Sequence, residues 1–82
     1  MRKVIRFTAS WCAPCQVMAR KLEEVNTLLP IEVIDIDTHS DIASEFGIRS
    51  VPTLVMTEDN IEVKRMVGTS QISNLENWLK ND

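Results

Sequence analysis

The sequence predicts an α/β domain of order βαβαββα, in which a four-stranded mixed sheet carries helices on both faces. Three observations predict it. An apolar, β-prone run near the amino end gives way to a stretch whose apolar residues recur at spacings of three and four. A second β-prone run opens at Ile31, so the first unit is strand–helix–strand. The last two β-prone runs are separated only by Glu58-Asp59-Asn60, a turn short enough to make that pair antiparallel.

Val4, Ile5 and Phe7 lie in the first strand, which ends near Ala9. Cys15, Met18, Leu22, Val25 and Leu29 mark one face of a helix from about Pro14 to Leu28. Pro14 suits a first helical turn, where its missing N–H has no intrahelical partner to lose, and Pro30 marks the helix end. Ile31 to Ile36 reads as the second strand, and the connection between these strands should be a right-handed parallel crossover. Thr38 and Asp41 have the spacing of a capping box for a short helix carrying Ile42, Ala43 and Phe46. Gly47 is placed to end that helix. Thr53 to Thr57 and Ile61 to Val67 read as the third and fourth strands. Gly68 breaks the pattern, and a last helix begins near Ser70 and buries Ile72, Leu75 and Leu79. Trp78 follows that helix's apolar stripe and reads as packing; Met18 and Met56 read as core fillers.

The 82 residues suit one domain, spanning 1–82, with one core of modest stability. Hydrophobic residues make up 44% and charged residues 26%, an ordinary balance for a soluble globular chain. The net charge is −3 and the Lys and Arg residues are scattered, so no basic stripe for nucleic acid and no polybasic membrane patch stands out. No apolar run reaches the length needed to cross a bilayer. Met1-Arg2-Lys3 is like the basic start of an export signal, but Arg6 interrupts the apolar stretch that follows. Cleavage near Ala9 would also delete the strand that presents Cys12. The expectation is therefore a cytoplasmic monomer without a signal peptide. In a reducing cytosol a cysteine pair is more often catalytic or metal-binding than structural.

Cys12 and Cys15 are the only cysteines, three positions apart at the junction of the first strand and the first helix. A disulfide across so short a loop constrains the unfolded chain by only about 2 kcal/mol, so the pair reads as a reversible dithiol/disulfide couple, not a staple. Cys12 falls at the amino end of a helix, where free N–H groups and the helix dipole favour a thiolate, the attacking species in disulfide exchange. Cys15 lies one turn further in, turned toward the core. The expected chemistry is attack by Cys12 on a substrate disulfide, then attack by Cys15 on Cys12 to release the reduced substrate. The competing reading is half of a zinc site. It needs two more ligands, and the chain offers only His39 and carboxylates, with no second Cys-X-X-Cys. His39 stands among polar residues at a helix start and reads as solvated. Trp11 reads as core or as a partly exposed shield for the disulfide; its place beside the motif favours the shield.

Trp11-Cys12-Ala13-Pro14-Cys15 resembles the thioredoxin active site, the general example of a reactive Cys-X-X-Cys pair. Ala13 stands where that family more commonly has Gly. Gly47-Ile48-Arg49-Ser50-Val51-Pro52-Thr53 resembles the thioredoxin segment that holds a cis-proline, and Val67-Gly68 resembles a third contact of the same family. The resemblance covers nearly the whole chain. It implies a minimal thioredoxin fold of glutaredoxin size, without the usual first strand and first helix. The second strand then becomes a sheet edge, guarded by Glu32, Asp35 and Asp37. The resemblance implies that Pro52 is cis and stacks on the disulfide, and that the Val51 backbone pairs with an extended substrate segment. Gly68 would let substrate backbone approach closely, and Trp11, Ala13 and Pro14 complete the implied substrate-binding set. The implied activity is that of a dithiol reductant of protein disulfides, with no cofactor of its own. Electrons would come from an NADPH-dependent thioredoxin reductase or from glutathione, and ribonucleotide reductase is one implied recipient. The chain has no Gly-rich dinucleotide site.

Three positions depart from the family pattern. The family's buried aspartate, six residues before the first cysteine, falls on Arg6; its partner lysine falls on Val33; its helix proline falls on Arg20. Arg6 is expected to pair with a carboxylate or to extend its head to solvent, because an unpaired buried guanidinium is too costly. Two rival readings stay open. A glutathione-dependent, glutaredoxin-like reductant is favoured by size, but Trp-Cys-X-Pro-Cys and the lone Gly68 count against it. A non-catalytic binding subunit of a larger assembly would need the fold and not the thiols.

Overall fold

In the computed structural model, which describes residues 1–80, the elements follow the expected order. They are β1 (Arg2–Thr8), α1 (Ala13–Glu24), β2 (Ile31–Asp35), α2 (Ser40–Glu45), β3 (Thr53–Glu58), β4 (Ile61–Val67) and α3 (Ile72–Lys80). The last two residues of the domain expected over 1–82 lie outside the described residues. The sheet order is β2-β1-β3-β4. β1 pairs with β2 in parallel and with β3 antiparallel, and β3 pairs antiparallel with β4. Thr53 to Thr57 are all buried, as a central strand covered on both faces requires.

Successive strand residues point to opposite faces, and that alternation splits the core in two. On one face Val4, Leu54 and Met56 pack with Met18 and Leu22 of α1 and with Leu75 and Leu79 of α3. On the other, Ile5, Phe7, Ile34 and Val55 pack with Ala43 of α2 and its neighbours Ile42 and Phe46. The Phe7 and Phe46 rings lie 5.6 Å apart, tilted by 55°. Met18 and Met56 are fully buried and Trp78 is partly buried against the first cluster, as expected. The Lys64 ammonium stands 5.0 Å from the Trp78 ring centroid.

Helix ends depart from the sequence reading in instructive ways. α1 stops at Glu24, not near Leu28; Val25 is already extended at φ −82°, ψ 135°. Asn26 and Thr27 favour local side-chain bonding over helix, and the Thr27 Oγ1 takes the Leu29 N–H at 3.2 Å. Leu28, expected inside the helix, is fully exposed. The Thr38–Asp41 capping box does not form. The Asp35 carboxylate takes the Asp37 N–H at 2.8 Å and faces the Thr38 N–H at 3.4 Å, which holds Thr38 in the preceding turn. His39 is the N-cap, without a side-chain cap bond, and it is exposed as expected. α3 begins at Ile72, two residues later than read, and Ile72 is only partly buried.

Gly47 does end α2. At φ +65° its N–H bonds the Ser44 carbonyl at 3.0 Å, and the Ile48 N–H bonds that of Ala43 at 2.9 Å, the paired closure of a Schellman motif. Asp59 and Asn60 both have positive φ, 52° and 72°, the backbone of a two-residue hairpin turn. β2 is an edge strand, as expected, and Glu32 on it pairs with Lys3 at 3.0 Å.

Candidate active site

Parallel pairing of β1 and β2 brings the ends of both strands to one side of the sheet. The chain leaves β1 through Ala9-Ser10-Trp11, with the Cys12 N–H closing on the Ala9 carbonyl at 3.2 Å. Cys12 is the N-cap of α1, extended at φ −98°, ψ 102°. Its Sγ accepts the Cys15 N–H at 3.1 Å, doing for the helix what a Ser or Asp oxygen does at other N-termini. Pro14 sits in the first turn and leaves no orphan donor there. No acidic side chain occupies that turn to offset the positive end of the helix at Cys12.

Cys12 and Cys15 are joined as a disulfide with their Cα atoms 5.2 Å apart. Both are buried, Cys12 at 4% exposure and Cys15 at 1%. The difference is in the expected direction and small, because in the oxidised pair each sulfur covers the other. Ala9 completes their cluster, and Ile36 and Val51 pack against it. Ala13 and Pro14 are exposed beside the pair.

Trp11 is 68% exposed and is not core. Its indole Nε1 donates to Asp37 Oδ2 at 2.9 Å. The sequence reading gave Asp37 only an edge-guarding part and missed this contact. The signal was available, because a parallel β1–β2 pair must set the loops that follow the two strands side by side.

The loop before β3 comes from far along the chain. The Val51–Pro52 peptide is cis, as expected, and Pro52 is buried. The Val51 carbonyl oxygen lies 3.7 Å from Cys12 Sγ. Among the described residues, neither the N–H nor the carbonyl of Val51 has a backbone partner. Thr53 Oγ1 donates to the Ser50 carbonyl at 2.8 Å and fixes the loop at its other end. The Gly68 N–H donates to the Pro52 carbonyl at 2.8 Å, with φ at +84°. A Cβ on Gly68 would touch nothing within 4 Å, so within this chain the glycine serves the backbone conformation. Of the residues read from the sequence as a site, Val51 thus packs on the Cys12–Cys15 pair, and Gly68 is tied to Pro52 beside it.

Arg6 and Val33 are direct neighbours in the β1–β2 register. Val33 is 52% exposed on the edge strand. Arg6 is partly buried, lines an open cavity beside Cys15, and has no ion-pair partner among the described residues. Of its two expected fates it takes the one facing solvent. Among the described residues, no three His, Cys, Asp or Glu side chains come together to hold a metal ion.

Fold and site together define the class, a thioredoxin-fold protein whose Cys-X-X-Cys pair opens the first helix of the sheet. The chain belongs to the thioredoxin family: the family model described as Thioredoxin matches residues 1–81. A thioredoxin of Mycobacterium tuberculosis is 39% identical over 69 residues, which cover 79% of this chain and 60% of that protein. The bifunctional thioredoxin reductase/thioredoxin of Mycobacterium leprae is 36% identical over 69 residues, 79% of this chain and 15% of that protein. The solved structure of a mutant thioredoxin from Halobacterium salinarum superposes with a TM-score of 0.89 at 32% identity, over 96% of this chain and 72% of that one. The chain therefore spans 60% of the length of the mycobacterial thioredoxin it matches.

Proposed function

We propose that the chain is a thiol–disulfide oxidoreductase that reduces protein disulfides through Cys12. The observation that carries this reading is Cys12 as N-cap, its sulfur accepting the Cys15 N–H at 3.1 Å. In the reduced protein the same N–H and the helix dipole favour a Cys12 thiolate. That thiolate attacks one sulfur of a target disulfide and displaces the other. Cys15, one turn along, then attacks Cys12 and frees the target sulfur bonded to it. Val51 offers an N–H and a carbonyl without backbone partners beside Cys12, which an extended target segment can pair with as an added strand. Trp11, Ala13, Pro14 and Gly68 complete the set of residues proposed to contact that segment. No bound cofactor is needed, because the sulfur pair itself stores the two electrons.

The upstream donor is an NADPH-dependent thioredoxin reductase. The reading is supported by the mycobacterial relative that joins a reductase and a thioredoxin in one chain. Ribonucleotide reductase is one downstream recipient, and a reducing cytoplasm is the setting in which such a dithiol is kept loaded. The test is a coupled assay on a protein disulfide. NADPH consumption is expected with thioredoxin reductase and not with glutathione plus glutathione reductase. Turnover only in the glutathione arm would overturn the donor assignment, and turnover in neither would overturn the activity.

A further inference from the structure

The inner sulfur faces a second surface of the molecule. A cavity of about 260 Å³, open on one side, is lined by Arg6 and Thr8 of β1, Ser10, Cys15 and Gln16 of the α1 entry, and Asp35 of β2. Cys15 is on its wall and Cys12 is not. Two charged side chains line it, one of each sign. They are not equivalent. Asp35 is tied into the turn after β2, where its Oδ1 takes the Asp37 N–H at 2.8 Å and faces the Thr38 N–H at 3.4 Å. Arg6 has no ion-pair partner among the described residues and is partly buried. Burial draws its guanidinium below the ordinary value, yet a guanidinium remains charged throughout the physiological range. The apolar residues that share a cluster with the cysteine pair are Ala9, Ile36 and Val51, and the charged side chains on the cavity that Cys15 lines are Arg6 and Asp35.

We propose that Arg6 is a positioning residue for the inner thiol: from the shared cavity wall its positive charge favours the Cys15 thiolate during resolution of the mixed disulfide. This rests on the oxidoreductase reading above. The Cys15 proton leaves to solvent through the open side of the cavity, so no protein base is required. The Cys15 sulfur then bonds to Cys12 as the bond from Cys12 to the target breaks. The released target sulfur takes a proton from solvent. The target disulfide has gained two electrons and the Cys12–Cys15 pair has lost them.

The test titrates Cys15 alone, in a Cys12→Ser background, by thiolate absorbance and by alkylation rate against pH. Compared with the chain that keeps Arg6, Arg6→Met is expected to move the Cys15 titration to higher pH, with about tenfold slower alkylation at neutral pH. Arg6→Lys, which keeps the charge, is expected to restore most of the rate. Superimposable titrations for Arg6 and Arg6→Met would overturn the proposal, as would Arg6→Lys behaving like Arg6→Met. Should Arg6→Met not fold, Arg6→Gln, which keeps a polar side chain without the charge, carries the test: a Cys15 titration moved to higher pH is expected, and an unmoved or lowered one would overturn the proposal. The titration is read without any target. A chain that shows the Arg6 effect but fails to reduce protein disulfides would sink the activity, and with it the role in resolution, while the effect of the Arg6 charge on Cys15 would stand.

Discussion

Single residues show how much of the site is local. Cys12 and Cys15 were legible because a strand end, a helix start and a Pro at the first turn are all written within a few positions. Asp37, which holds the Trp11 indole, is legible only by way of the parallel β1–β2 pairing, which sets the two loops side by side, and not from its local sequence. Nor was the setting of Arg6 beside Cys15, which needs β1, β2 and α1 in place. Another residue shows a cost that sequence patterning hides. Thr57 is buried on β3, and its Oγ1 has no hydrogen-bond partner. A buried hydroxyl without a partner loses its hydration for nothing. Thr57→Val keeps the shape and removes that group, so it is expected to raise stability by about 1 kcal/mol. Urea unfolding of the two chains checks this: the midpoint should rise with the slope unchanged, and a lower midpoint would show that the hydroxyl is satisfied.

Elements were legible in kind and order, and less so at their ends. Apolar spacing located α1, but no periodicity could tell that Thr27 would turn its hydroxyl to the backbone and release Leu28 to solvent. The capping spacing at Thr38 lost to the nearer Asp35 carboxylate. Gly47 is legible as the end of α2 because a left-handed closure leaves few choices of residue. Gly47→Ala should therefore cost about 1 kcal/mol or more, although a methyl there would meet no neighbour. An unchanged thermal midpoint would refute that. The β4 edge gives a pH prediction. Arg65 donates two hydrogen bonds at 2.7 Å to the Glu62 carboxylate, and a third at 2.8 Å to the Phe46 carbonyl at the end of α2. The Arg65 hydrogen bonds hold the Glu62 carboxyl below its ordinary value. A carboxyl lowered by folding stabilises the fold above its unfolded pKa, and that contribution is lost as pH falls through the folded pKa. Solvent screening at this exposed pair keeps it under about 1 kcal/mol. The stability gap between the chain and Glu62→Gln should close on acidification through the carboxylate range. A gap that persists in acid would point to packing instead of charge.

At the scale of the molecule, the topology was the most legible feature. Strand, helix and strand in that order allow few arrangements, and the closing hairpin adds an antiparallel pair. The irregular pairing between Met56 and Thr57, where β4 carries an extra residue, was not legible, because both strands keep their β-prone composition through it. The two core layers lie on opposite faces of β1 and β3, so a cavity on the α1–α3 face weakens the support of both those helices at once. Leu54 is fully buried between β1 and β4 on the α1–α3 side. Leu54→Ala is expected to cost about 2–5 kcal/mol in denaturant unfolding. A loss under about 1 kcal/mol would mean that the core collapses around the gap or was never close-packed there. The fold's larger effect is to gather three segments, beginning near Trp11, Val51 and Val67, around one sulfur at a helix tip. The most direct test of that arrangement is a trapping experiment with a protein disulfide, read by mass spectrometry without reductant. Cys15→Ser should accumulate a covalent adduct through Cys12, and Cys12→Ser should accumulate almost none. Equal adducts from the two variants, or none from Cys15→Ser, would contradict the assignment of Cys12 as the attacking group.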